Sequence, residues 1–553
     1  MKKLTLMLFF VSTSAIFSQA QSKVNCLTNL FDKERIELSH LQRLNKSITR
    51  EFEENVVGDT LDFWVFKHPW AEIKAVCKAV GENSYIFVET GMWDAGFVDS
   101  SDIANVYNSF EKQTLNDSTK GIYETNIENF GPAPNSLDGD PKIYILFYDM
   151  GGYGDGSFFA FNQYTQAEID SMYGPGLYYS NEKEILYMNA RNDVSSNLML
   201  SVVAHELQHM IHWNWDADED SWINEGCAEY AMFLYGYPDP IIIFNLYPDN
   251  DLTMWDSGFS DYVQSYLFIM YLYEQYGGAN AVKALVEEKR NSIEGVSQAL
   301  LTLGYEDTFN DVFSNWAVAN YIDDTTSYNG KYGYFNIELP TFETSRSHSN
   351  YPIDQVSRSV SPWAANYIWM NNGSPQNFYF DGDNNGKFHV SVIKIDTSAT
   401  LIIEELEIDS EQNGIYDMSD FNDKWKQIIF VISNQQSFGV GNYNYSTQII
   451  TDIDNNIDLP KSFSLSQNYP NPFNPTTEIT YSLPSESYVT LSIYNTLGQK
   501  VATLVNGNKK AGEFDVTFDA TNFPSGVYFI SIKVEELNSK KNFMHVIKAL
   551  LLK

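Results

Sequence analysis

Cysteine is scarce in this chain, with three among 553 residues, at positions 26, 77 and 227. That number excludes a disulfide-built scaffold. In an oxidising compartment Cys26 and Cys77 can pair, leaving Cys227 as a small buried core residue. Basic charge is also short. Lys and Arg total 35 against 72 Asp and Glu, a formal net charge of −37, which repels phosphate and excludes nucleic acid as a partner. The same excess keeps an exported protein soluble and leaves carboxylates available to Ca2+. Long apolar runs are missing too, since no internal stretch reaches the ~20 residues that cross a bilayer. Tyr266–Tyr273 comes nearest and reads as part of a core helix, so the mature chain has no transmembrane segment.

The composition is 43% hydrophobic and 15% aromatic, which describes a globular rather than a disordered protein. Its length exceeds a single hydrophobic core and implies about three or four domains. At the start, Met1-Lys-Lys gives a positive region, Leu4–Phe17 an apolar one, and Ser18-Gln-Ala20 small residues at cleavage-site positions. Residues 1–20 therefore read as a secretory signal peptide. Residues 21–74 carry helical periodicity at Leu27, Leu30, Ile36, Leu38, Leu41 and Leu44, consistent with either a prosegment or a wrapping extension.

Histidine is rare, 8 in all, yet two of the eight stand in His205-Glu-Leu-Gln-His209. Val202, Val203, Leu207, Met210 and Ile211 flank this stretch without proline or glycine, the pattern of a helix. On a helix His205 and His209 share a face about 6 Å apart along the axis. Two neutral imidazoles so placed can bind one zinc ion, and Glu206 can reach a water on it. A third protein ligand is then needed. His212 lies about 10 Å along the axis from His205, too far to share an ion from a straight helix, and reads as a packing residue or one that supports a ligand. Glu225 and Glu229, one turn apart on a second helix, remain as candidates.

The Asn224-Glu225-Gly226 triplet resembles the ligand motif of the gluzincin peptidases, which implies Glu225 as ligand and Glu229 as an acid holding a zinc histidine. The spacing of Glu229 itself matches thermolysin-type enzymes. Ala204-His-Glu-Leu-Gln-His-Met210, Trp222-Ile-Asn-Glu-Gly226 and Asp138-Gly-Asp-Pro-Lys-Ile-Tyr-Ile-Leu146 together resemble hyicolysin-like secreted metallopeptidases over roughly residues 75–325. The metzincin pattern fails, because Trp215 stands where it requires histidine. No Gly-x-Met-Glu-Asn loop is found, which favours an endopeptidase over an aminopeptidase. The resemblance further implies one catalytic Zn2+, protein or peptide substrates, and an oxyanion donor at Tyr262, with Tyr266 the next candidate. It also implies an edge strand for substrate at Ser157–Tyr164 or Ile185–Ala190. The rival reading is a non-catalytic cell-surface binding protein on a zincin scaffold. It would be marked by loss of a ligand or of Glu206, and all are present.

The expected fold is multidomain, an α/β plus mainly-α zincin (gluzincin-like) catalytic domain over 75–335 followed by two β-sandwich domains. Within the first, Tyr85–Glu89 and Lys142–Phe147 read as strands, Asp102–Leu115 as a helix, and Gly151–Gly156 as a mobile rim. Residues 340–455 alternate as strands and turns. There Asp381-Gly-Asp-Asn-Asn-Gly386 opens like a calcium loop but has Val392 where a glutamate is needed, so it reads as a tight hairpin turn. Residues 460–553 resemble the C-terminal sorting domains of the type IX secretion system, through Asn468-Tyr-Pro-Asn-Pro-Phe-Asn-Pro475, Leu491–Val501 and Phe523-Pro-Ser-Gly-Val-Tyr528. That implies passage through the periplasm, handling by the secretion machinery, and release or attachment at the cell surface.

Overall fold

A computed structural model describes residues 25–40, 53–135, 137–241, 248–340, 345–450, 462–536 and 542–553. The signal peptide and residues 41–52 lie outside this set. The chain divides into two compact units, Met1–Gln448 and Ile449–Lys553.

The first unit opens with a 3₁₀ turn, Thr28–Phe31, and helix α1, Asp32–Ser39. Among the described residues of the 21–74 segment, helix is found at Thr28–Ser39, while Leu41 and Leu44 lie outside the described residues. Strand β1, Thr60–Phe66, follows, and β2, Trp70–Val80, runs across residue 75, where sequence reading begins the catalytic domain. With β3 (Ser84–Glu89), β4 (Ile143–Tyr148), β5 (Gly156–Phe158) and β6 (Ile185–Asn189) they build a six-stranded sheet in the order β1-β2-β3-β4-β6-β5. Strands β3, β4 and β6 are parallel, and β5 pairs antiparallel to β6 as the edge. Every residue of β4, Ile-Tyr-Ile-Leu-Phe-Tyr, is buried, as expected of a parallel strand covered on both faces. Between the strands lie α2 (Thr90–Asp94), α3 (Ser100–Glu111), α4 (Ile122–Phe130) and α5 (Gln166–Tyr173).

The His-Glu-x-x-His stretch lies on α6, Asn197–Trp215, 19 residues started by the Ser196 side chain accepting from the Met199 amide. Residues Met199–Trp213 are all buried, so α6 is a core helix rather than an amphipathic one. It packs on α7 (Ser221–Tyr235), which in turn packs on α8 (Phe259–Gln275). Helices α9 (Ala279–Glu287), α10 (Ser292–Thr302) and α11 (Phe309–Ile322) complete the helical part. Tyr266–Tyr273 is inside α8, and no helix among the described residues is long and apolar enough to cross a membrane.

Residues 346–449 form two facing sheets. One contains β8 (Val356–Val360), β10 (Gln376–Gly382), β13 (Asn413–Met418) and β15 (Gly441–Ile449). The other contains β7 (Arg346–His348), β9 (Ala364–Asn371), β11 (Phe388–Asp396), β12 (Leu401–Glu405) and β14 (Trp425–Asn434). Phe378 of the first stacks on Phe430 of the second at 3.7 Å between ring centres. The outer face of the second sheet covers α11, where Tyr367 and Ile429 bury Ala317 and Val318, and the Tyr367 hydroxyl donates to the Ala317 carbonyl at 2.7 Å. That shared core explains why these sheets belong to the first unit. The Asp381–Gly386 turn joins β10 to β11, which lie in different sheets, so it is a crossover between sheets and not the hairpin turn expected from sequence. Its Asp383 carboxylate accepts from the amide and side chain of Asn442, and Asp381 accepts from Asn444, so protein donors take these oxygens.

The second unit holds two sheets, β16 (Ser464–Leu465), β17 (Thr476–Leu483) and β20 (Gly512–Asp519), and β18 (Ser487–Tyr494), β19 (Lys500–Lys509), β21 (Gly526–Glu536) and β22 (Asn542–Leu551). Val489, Leu491 and Ile493 all point into its core, as their spacing of two along a strand requires.

Candidate metal centre

Helix α6 places His205 and His209 on one face, with their Nε2 atoms 3.1 Å apart. Helix α7 brings Glu225 against both, Oε2 at 3.3 Å from His205 Nε2 and Oε1 at 3.4 Å from His209 Nε2. The glycine after Glu225 is what permits the approach of α8. A Cβ on Gly226 would stand 2.9 Å from both Ile269 Cγ1 and the Ser265 carbonyl oxygen.

A fourth donor joins them from outside the predicted set. Cys26 Sγ lies 3.6 Å from His209 Nε2, and one ligand atom from each of Cys26, His205, His209 and Glu225 lies within 4.8 Å of every other. This corrects the pairing of Cys26 with Cys77. All three cysteines are free and buried, and Cys26 faces the histidines because its segment runs into the cleft between β5 and α6. Cys227 is a buried core residue, as expected. Among the described residues this is the one grouping of such donors close enough to share an ion.

The donors fit zinc. Tetrahedral bonds of the usual lengths separate two nitrogen or oxygen ligands by about 3.3 Å and a sulfur from a nitrogen by about 3.6 Å. The separations of 3.1, 3.3, 3.4 and 3.6 Å among these side chains fall around those values. All four are buried, and Glu225 Oε2 has no hydrogen-bond donor. Buried anionic and imidazole groups facing one another without a cation would be costly, and a cation removes that cost.

The surrounding contacts orient the donors. His209 Nδ1 meets Asn224 Oδ1 at 2.9 Å, so the asparagine before Glu225 fixes the tautomer that exposes Nε2. Glu229 Oε1 lies 3.5 Å from His205 Nδ1, on the far side of the ring from Glu225. His212 stays outside the cluster, buried beside Gln208 at 3.3 Å, with its pKa lowered to about 3 by burial. Burial likewise lowers His209 to about 4.

Glu206 lies beside the donor cluster, next to Cys26 and Thr28. Its Oε2 accepts from the Thr28 hydroxyl at 2.8 Å and its Oε1 has no partner. Burial raises its pKa to about 7, against His205 and the Thr28 hydrogen bond, which lower it. Gly156, the first residue of β5, passes directly above. A Cβ there would stand 2.8 Å from Val202 Cγ1 and 2.9 Å from Glu206 Cγ. The glycine-rich rim thus ends in the strand that borders the site. Of the two candidate substrate strands, Ile185–Ala190 contains the interior β6, and Ser157–Tyr164 is strand only as far as Phe158, in the edge strand β5, before a 3₁₀ turn at Ala160–Gln163.

Tyr262, on the first turns of α8, is buried. Burial holds its hydroxyl protonated, and the charges of Glu225, Cys26, Glu229 and Glu206 push the same way. Tyr266, one turn on, is raised by burial and feels Glu229 and Glu274 instead, away from the donor cluster. Cys26, Thr28, Asn29 and the orienting role of Asn224 were missed by sequence reasoning. No local sequence pattern signals the first three, whose site contacts span 183, 178 and 196 positions.

A profile of the secretion system C-terminal sorting domain matches residues 467–547. The chain therefore carries an export tail that directs it outside the cell or to its surface. It is 26% identical over 208 residues to the neutral metalloprotease ShpI of Staphylococcus hyicus, covering 31% of this chain and 44% of that protein. The chain thus spans less than half the length of the curated relative it matches. Solved structures that match in part include a Parabacteroides merdae β-glucuronidase, 10% identical, covering 37% of this chain and 29% of that one at a TM-score of 0.13. A β-1,2-glucanase from Parabacteroides distasonis is 8% identical, covering 33% and 28% at a TM-score of 0.15. Superpositions at that level carry no argument about fold or function.

Proposed function

We propose that this chain is an exported zinc endopeptidase of the gluzincin kind, with His205, His209 and Glu225 as metal ligands. The observation that carries the reading is the convergence of these three buried side chains, from two adjacent helices, on one point. The similarity to a metalloprotease supports it. Bound there, zinc would supply Lewis acidity, lowering the pKa of a water and polarising the substrate carbonyl. The remaining work falls to the protein. Glu206 takes the proton of the attacking water on Oε1 and returns it to the leaving amine, as a general base and then acid. The Tyr262 hydroxyl, held protonated, donates to the developing oxyanion. Asn224 and Glu229 keep the imidazoles in register, and β5 offers its outer backbone groups to an extended peptide.

Glu206→Gln tests this reading. The variant of the exported protein is expected to retain one zinc per chain while losing casein hydrolysis by about 10²–10⁴-fold. Glu225→Ala is expected to lose the zinc itself. Full proteolysis by Glu206→Gln, or a metal content unchanged in Glu225→Ala, would refute it.

A further inference from the structure

Residues 25–39 lie in the cleft that a substrate would need. Asn25 accepts from the Asp155 amide at 3.0 Å, the Leu27 amide donates to the Gly156 carbonyl at 3.1 Å, and the Thr28 hydroxyl accepts from the Phe158 amide at 2.8 Å. Cys26 bridges Gly156 in parallel orientation. The outward polar groups of β5 are therefore taken. The same segment reaches the chemistry directly, since Thr28 donates to Glu206, and Asn29 donates to Glu225 Oε1 at 2.5 Å. Beyond, the buried Arg35 donates to the carbonyls of Ala217 and Glu219 at 2.7 and 3.0 Å, on the loop joining α6 to α7. Asp32 accepts from Ser221, and Leu38 accepts from Tyr164. The segment is thus tied to both walls of the cleft.

We infer that residues 25–39 are a built-in inhibitor of this site, with Cys26 Sγ as a fourth metal ligand in the position that water must occupy for hydrolysis. The inference rests on the metal-site reading above. Four protein ligands make a closed structural site, whereas catalysis needs one position open. Three features keep the segment from being hydrolysed. A side chain rather than a peptide carbonyl faces the histidines, the general base is engaged by Thr28, and the backbone turns into a 3₁₀ helix at Thr28 instead of continuing along β5. Activation follows from cutting the tether. Hydrolysis of the chain between this segment and β1 by a second peptidase, with water as co-substrate, turns an intramolecular ligand into a free peptide. That peptide dissociates with its thiol reprotonated by solvent, and water takes its place.

Cobalt-loaded full-length protein tests the inference through its spectrum. A thiolate-to-cobalt charge-transfer band is expected in the full chain. It is expected to vanish in Cys26→Ser, and after trypsin treatment, while bound cobalt persists in both. In parallel, casein hydrolysis by zinc-loaded Cys26→Ser should exceed that of the full-length wild type by about two orders of magnitude, the scale on which a tether strengthens a ligand. Arg35→Ala, which loosens the segment without touching the donors, should raise hydrolysis in the same direction. Cobalt bound without the band, or a full chain already as active as Cys26→Ser, overturns the inhibitor and leaves the metal site standing. Failure of the full chain to bind cobalt overturns both.

Discussion

Glu229 stands one helical turn beyond Glu225, and the two carboxylates take different sides of the same imidazole. Glu225 faces His205 Nε2 at 3.3 Å and Glu229 faces Nδ1 at 3.5 Å. Asn224 does for His209 what Glu229 does for His205. Removing such a partner leaves the ligand in place but frees its ring, which in metal sites costs about 10–100-fold in affinity. Asn224→Ala and Glu229→Ala are therefore each expected to weaken zinc binding within that range, measured by competition against a chromogenic chelator, with unchanged helix content by circular dichroism. Affinity equal to wild type in both variants would show that these contacts do not orient the ligands. At this scale the sequence was informative where chemistry fixes spacing. Histidines four apart must share a helix face, and an acid one turn past another must follow it onto the same side. Cys26 was illegible because its contact with His209 spans 183 positions, and no local pattern encodes a contact of that separation.

Helix α7 presents Glu225 only because α8 can come close behind it, and Gly226 is where that happens. An alanine in a helix is intrinsically favoured over glycine by ~1 kcal/mol. Here its Cβ would overlap Ile269 and the Ser265 carbonyl, and overpacking a buried contact costs about 1–3 kcal/mol. The carbonyl belongs to a helix backbone and cannot rotate away as a side-chain tip could, so the clash outweighs the propensity. Gly226→Ala is expected to lower the thermal midpoint and, by shifting the adjacent Glu225, to weaken zinc binding. A midpoint at or above that of wild type would show that α7 and α8 have slack at this crossing. Elements as such were legible. The strands at Ser84–Glu89 and Ile143–Tyr148 and the helix at Ser100–Glu111 fall within a few residues of their expected places. Which strand forms the sheet edge was not, because the three-residue β5 and the five-residue β6 are both buried throughout. Their order depends on hydrogen-bond partners, which composition does not specify.

At the scale of the whole chain, the export tail and the remainder draw on separate cores. Among the described residues, the core of Ile449–Lys553 is built from its own strands, led by Ile479, Leu491, Ile530 and Ile532. Its period of two and its Pro/Asn/Gly turns made it readable in sequence. The attachment of the 346–449 sheets to α11 was not readable, since Ala317 and Tyr367 meet across a helix end and a connecting segment. These two facts make opposite predictions for truncation. Ending the chain at Gln448 removes one self-contained core and should leave thermal unfolding and zinc stoichiometry of the first unit unchanged, while the protein no longer reaches the medium or the cell surface. Ending it at Leu339 strips the cover from Ala317 and Val318 on α11, exposing apolar surface that the first unit normally buries. That shorter chain is expected to aggregate or unfold at lower temperature. Expression of both, followed by fractionation and thermal melts, separates the cases. Normal export without the tail, or an undiminished melt after loss of the sheets, would contradict the division of cores described above.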